Sequence, residues 1–364
     1  MHYFYRFKNT KMNNKKHLYT FLVFILCINL HAVSQTVIGR TSYEFIGDNR
    51  EYFNSYGFPQ TILASRASQE FGLQIDSSQK IMFGGSYMIT HGANQFEQKP
   101  ILTSYYEYNK RKSHTDYTYK VGSFPLYYNT FPISIYSDSM MYVRPNMQGI
   151  KADFFNYSFL HKFHGYGTGI FDWLQQKNNG EQESFLAGYN GTLCYKNFRL
   201  NNYYYYRHFA ADNNTGSKDV QDNGAFGVTI GYNSYNLLKA KTDTTQVFIP
   251  NYFSFSCKIG SLTTWFGQRP APKIYAGGFI ADASIEYNKF EIKGLYYYGD
   301  GTQSPLGDPL YRCGNYGRID AKYTFLYTKN VIAYFSFNTH FIDSDINFSQ
   351  NISVKATIDY KHGK

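Results

Sequence analysis

The chain has 364 residues, with 36 Lys and Arg against 26 Asp and Glu, a formal net charge of +10. Five of the cations (Arg6, Lys8, Lys11, Lys15 and Lys16) lie in the first 34 residues, which hold no acid, so the rest carries about +5 (10 − 5) without basic blocks. That distribution excludes a concentrated nucleic-acid-binding face, and 4 widely spaced cysteines exclude a disulfide framework or a C-x-x-C metal site.

From the N-terminus, the basic stretch Met12 to His17 is followed by the apolar run Leu18 to Leu30 and by Ala32-Val33-Ser34. A charged region, a short greasy region and a small-x-small site together predict a secretory signal peptide over 1–34, cleaved after Ser34, with Met12 a sufficient start. Residues 35–364 then form one domain.

In that domain apolar and polar residues alternate. The closing segment NISVKATIDY places Ile352, Val354, Ala356, Ile358 and Tyr360 on one side, and Ser353, Lys355, Thr357 and Asp359 on the other. The same period of two runs through Phe279–Tyr287, Tyr316–Phe325 and Val331–Phe341. Turn clusters such as Asp76-Ser77-Ser78, Lys177-Asn178-Asn179-Gly180 and Tyr327-Thr328-Lys329-Asn330 separate such runs. About sixteen strands are predicted, beginning with 36–46, 60–75 and 80–90 and ending with 316–326, 331–341 and 347–360. Most are ten to twelve residues long, the length that crosses a bilayer at a tilt rather than the five or six usual in globular sheets. Of the residues, 20% are aromatic, including 38 Tyr, and many sit near strand ends, as an interfacial belt requires. The predicted fold is therefore all-β: a transmembrane antiparallel β-barrel, with lipid on the apolar flank and an aqueous lumen on the polar one. A secreted β-sandwich would instead bury Phe337 and Ile358 between two layers.

Three stretches stand out: Gly122-Ser123-Phe124-Pro125, Ser137-Asp138-Ser139-Met140-Met141-Tyr142-Val143-Arg144-Pro145-Asn146, and Asp172-Trp173. Through them and its overall pattern, the mature chain resembles outer-membrane barrel proteins of Bacteroidota, in particular a porin-like family without an assigned activity. The resemblance implies the outer membrane as location, membrane lipid as solvent, and insertion by the barrel-assembly machinery. One departure is that Tyr360 is followed by Lys361-His362-Gly363-Lys364, which displaces the terminal aromatic that such machinery reads.

Residues 123–147 break the strand rhythm with Pro125, Pro132 and Pro145. Folded inward, this segment makes Asp138 and Arg144 constriction or ligand-contacting charges; as an ordinary loop, it pairs them with each other. Asp172 is expected in the lumen and Trp173 at the membrane interface. With Glu183 across the next turn, Asp172 forms a carboxylate pair that reads as lumenal counter-ions more readily than as a glycosidase couple. His161, His164 and His208 have no serine beside them in an H-x-S-N arrangement, and no G-x-S-x-G occurs. The remaining lumenal charges, among them Arg318, Asp320, Lys322, Lys355 and Asp359, are of mixed sign, which points to a weakly selective interior or to one cross-linked by ion pairs. The sequence thus predicts a passive porin-like channel for small polar solutes, with no catalytic residues, metal or cofactor. The alternative is a non-conducting barrel for surface-glycan attachment, secretion or envelope assembly, acting with an envelope partner or as a homo-oligomer.

Overall fold

The computed structural model describes residues 36–92, 100–126, 131–159, 163–176, 182–211, 219–234 and 253–362, with only the backbone given at 141, 143, 158 and 159. The expected signal segment, the 177–180 turn and His161 lie outside these residues. Among the described residues, sixteen strands follow one another: β1 (Thr36–Glu51), β2 (Gln60–Gln74), β3 (Gln79–Thr90), β4 (Ile101–Lys112), β5 (Thr115–Pro125) and β6 (Asn146–Phe159). The series continues with β7 (Phe163–Gln175), β8 (Ser184–Tyr195), β9 (Phe198–Phe209), β10 (Gln221–Asn233) and β11 (Phe253–Gln268). It ends with β12 (Ile274–Tyr287), β13 (Phe290–Gly299), β14 (Asn315–Tyr327), β15 (Val331–Ile342) and β16 (Asp345–His362). Each pairs antiparallel with its sequence neighbours, and β1 pairs with β16 from Val37–His362 to Glu51–Phe348, which closes the barrel.

Alternation along each strand decides what each face meets. Phe337 is 37% exposed and Ile358 55% exposed on the outer surface. No second layer covers them, so the sandwich is excluded. Leu102, Phe226, Ile230, Ile259 and Ile292 share that outer surface, while Ser353, Thr229 and Arg66 are buried within. With no sheet edge left open, every strand can satisfy its backbone in hydrocarbon.

The end at which β1 begins and β16 finishes has tight connections, such as 113–114, 196–197 and 288–289. In those three turns Ser113, Lys196 and Asn288 take positive φ, as two-residue hairpins whose twist matches the strands require. At the four-residue turn, Asp76 Oδ1 accepts the amides of Ser78 (2.7 Å) and Gln79 (2.8 Å). Bonds from Ser78, then those from Gln79, hold its carboxyl below the ordinary range. The opposite end carries the longer connections 52–59, 126–145 and 300–314.

The closing seam has a specific packing feature. Gly39 on β1 lies beneath the ring of Tyr360, opposite it on β16, and a Cβ at Gly39 would fall 1.9 Å from Tyr360 Cζ. Gln69 donates to the Tyr360 hydroxyl at 3.1 Å and keeps the ring laid across the glycine. Gly39→Val should therefore lift the ring and weaken the seam by about 1–3 kcal/mol, the usual cost of overpacking. A lower urea midpoint of unfolding in micelles checks this; an unchanged midpoint would show that the seam does not depend on the covered glycine.

Candidate functional site

Two long-end connections fold into the lumen. Residues 131–145 and 300–314 bury Phe131, Ile135, Tyr136, Leu306, Leu310 and Tyr311 against inward wall residues such as Leu186, Tyr205, Leu262 and Ile342. Backbone bonds join the two segments, from Ser137 N to Leu306 O (2.7 Å) and from Asp308 N to Ile133 O (2.9 Å). The first segment is sealed at its base by Leu126 N to Pro145 O (2.7 Å). The second meets the wall where Gln303 N donates to Thr264 Oγ1 at 2.9 Å. The result is an apolar plug in the long-loop half of the barrel.

The expected site charges take their places around it. Arg144 does not pair with Asp138, which corrects the local-pair reading. Its guanidinium clamps both oxygens of Asp172 and donates to Trp173 O at 2.9 Å, so the plug is tied to β7. Asp172 also accepts the Gln148 amide at 2.8 Å and faces the lumen, whereas Trp173 stacks with Phe185. Glu183 precedes β8 by one residue and lies three positions before Leu186, which stands opposite Asp172, so the register does not set the two carboxylates side by side. Arg318 bonds Asp320, Lys322 bonds Glu291 at 2.8 Å, and Asp359 accepts from Arg40 at 2.6 Å. Lys355 stands opposite Glu44 across the seam. The lumen charges are largely cross-linked.

Asp138 and Asp308 lie on the plug, and enclosure by plug and wall raises both carboxyl pKa values, against the lowering effect of Arg318. Asp308 Oδ1 accepts the Leu310 amide at 3.0 Å and caps the 3-10 turn Pro309–Arg312. Because docking raises its pKa, the stabilisation from its protonated form is complete below the free value of about 4 and is lost as pH rises through the raised one. Hydrogen-exchange protection of 302–312 should fall across that window. Asp308→Asn keeps the cap and should flatten the dependence; a slope unchanged by the substitution would remove Asp308 as its source.

On the outer surface a different cluster forms. Ser65 of β2 and Tyr43 of β1 point outward, and Ser65 Oγ lies 2.9 Å from the Tyr43 hydroxyl and 2.9 Å from Nε2 of His91. His91 follows β3 directly. Its amide donates to Leu63 O at 2.7 Å, and its ring lies against Phe45, with centroids 6.4 Å apart. Exposed Leu63 and Ile89 flank the group. A serine within hydrogen-bond reach of an imidazole is the arrangement that activates a hydroxyl nucleophile. Here it stands on the hydrocarbon-facing wall, near the long-loop end.

Two other histidine clusters lack one requirement each. His340 bonds the Ser349 hydroxyl at 2.9 Å and Tyr316 at 2.8 Å, but it is 1% exposed inside the barrel, out of reach of a lipid. His208 bonds Asp222 at 2.8 Å on the outer face, yet its ring neighbours are Phe185 and Tyr206, and no serine bonds it among the described residues. The sequence reading missed the Ser65–His91 pair because 26 positions separate the two. Register between β2 and β3, which sets Ser65 opposite Ile89, brings them together. Two consecutive outward runs with a polar residue near the same end were the only signal.

The model of a family described as lipid A 3'-O-deacylase-type matches residues 38–363. The chain belongs to that family. The expectation of a barrel without enzymatic chemistry is therefore corrected, since this is a family of deacylase-type enzymes. No curated protein matches the chain. Among solved structures it is similar to an anion-selective porin from Comamonas acidovorans (11% identity, 89% of this chain and 99% of that one, TM-score 0.50). It is also similar to the outer membrane protein OmpT of Vibrio cholerae in its trimer form (9% identity, 89% and 100%, TM-score 0.50). These likenesses concern the fold: a closed, multi-pass outer-membrane barrel of porin type.

Proposed function

We propose that this member of the deacylase-type family is a membrane-embedded ester hydrolase that removes an acyl chain from a lipid of the lipid A type. Ser65 is the nucleophile and His91 the general base. The observation that carries the reading is the 2.9 Å contact between Ser65 Oγ and His91 Nε2 on the lipid-facing wall. Ser65 Oγ attacks the ester carbonyl carbon while its proton passes to His91 Nε2. Collapse of the tetrahedral intermediate breaks the acyl C–O bond, and His91 returns the proton to the departing sugar alcohol. Water, deprotonated by the same imidazole, then attacks the acyl carbon; the bond to Ser65 Oγ breaks, the fatty acid departs, and His91 returns the proton to Ser65 Oγ. The Tyr43 hydroxyl is placed to donate to the developing oxyanion. Leu63 and Ile89 offer an apolar bed for the acyl chain beside the reacting bond.

Incubation of the folded protein with lipid A in mixed micelles, followed by mass spectrometry, tests this. The expected product is lipid A lighter by one acyl chain together with the matching free fatty acid, and an unchanged lipid A spectrum would overturn the reading. A second reading, a passive channel for small polar solutes, is favoured by the cavity below the plug, whose wall carries Asn190, Thr192 and Asn201, and the non-conducting envelope scaffold by the plug itself. Planar-bilayer recordings of the intact protein separate them, with steady conductance steps expected only of the channel.

A further inference from the structure

Below the plug, toward the end at which β1 begins and β16 finishes, lies a cavity of about 400 Å³, a size suited to a small molecule. Its roof is apolar and comes from the plug: Phe131, Pro132, Ile133 and Tyr311. One wall is a ladder of neutral polar groups, in which Thr192 Oγ1 donates to Asn201 Oδ1 at 2.8 Å and Asn201 Nδ2 to Thr229 Oγ1 at 3.0 Å. The opposite wall carries Lys258, paired with Asp282 at 2.8 Å, and Lys293.

One charge there has no close partner. Lys293 makes no ion pair among the described residues: its cross-strand neighbour Asp320 is held by Arg318, and Asp282 by Lys258. An apolar ceiling, a hydroxyl-and-amide wall and an ammonium that faces the plug carboxylate Asp138 without a close ion pair match a compact ligand with a greasy face, a hydroxylated edge and an anionic group.

We infer that this cavity binds an acidic monosaccharide, its ring beneath Phe131 and Tyr311 and its anionic group on Lys293. The plug closes the cavity toward the long-loop end, so the ligand enters from the end where β1 begins, the periplasmic side of such barrels. The site is separate from the Ser65–His91 pair and stands whether or not that pair hydrolyses lipid.

Calorimetric titration of the full-length folded protein in detergent with glucuronate, glucose 6-phosphate and glucose tests it. Saturable binding of at least one acidic sugar is expected, with glucose about tenfold weaker; which of the two anions binds tells carboxylate from phosphate. Lys293→Met should bring the acidic sugar down to the level of glucose. No saturable heat from any sugar up to about 50 mM, or glucose bound as well as its acidic relatives, would overturn the proposal. So would acidic-sugar binding unchanged in Lys293→Met. Heat-modifiable gel migration confirms that the variant is folded; if it is not, the preference of the unaltered protein among the three sugars still decides.

Discussion

Ser65→Ala is expected to cut acyl release from lipid A by about 10³-fold or more, the scale of losing a hydroxyl nucleophile that works with a histidine. His91→Gln should fall within about tenfold of it, and the double variant should be no worse than either, because nucleophile and base act as one unit. Tyr43→Phe leaves both in place and removes a single donor at the oxyanion, so about 10²-fold is expected, in kcat rather than KM. None of these should disturb the fold. Ser65 lies outward on the hydrocarbon side, and a methyl there meets no cavity, so the change in stability should stay within about 0.5 kcal/mol. An activity loss with normal heat-modifiable migration is therefore attributable to chemistry. Full activity in Ser65→Ala would remove the pair from the mechanism, and His208 with Asp222 would be the next base to test.

Much of the barrel was legible in the sequence because its causes are local. Period-two alternation needs no knowledge of partners, so all sixteen strands were expected near where they stand, and Asp172 and Trp173 were assigned to the correct faces. Boundaries slipped where the alternation weakens. β11 extends to Gln268 through Ser261-Leu262-Thr263-Thr264, where a polar outer flank hides the contrast, and β7 starts at Phe163, before a glycine-rich run. What escaped depends on contacts between distant segments. The proline-broken 131–145 segment was recognised as irregular, but its inward fold needs Leu306 and Leu310 of another connection to cover Phe131 and Ile135. Arg144 could not be assigned to Asp172 without the β6–β7 register. Ser65 and His91 meet only once β2 and β3 are aligned, so no motif confined to one strand contains the pair.

Arg144→Ala should loosen the plug without expelling it, and the magnitudes say why. Asp172 is almost fully buried, and removing its bidentate partner leaves an uncompensated charge, at a cost of about 3–5 kcal/mol. Against that, Phe131, Ile135, Leu306 and Leu310 remain packed, each worth about 1.5–3 kcal/mol of burial, so their sum exceeds the penalty. The expected outcome is faster hydrogen exchange in 131–144 and brief conductance openings on a closed background. Arg144→Met with Asp172→Leu removes both charges together and should restore protection close to that of the unaltered protein. Replacing 131–144 by a short Gly-Ser linker removes Phe131, Pro132 and Ile133 from the roof and uncovers Leu306 and Leu310, and it should give steady open steps. If the unaltered protein already conducts in steps as large as those of the linker variant, the buried segment does not close the lumen, and the channel reading regains its footing.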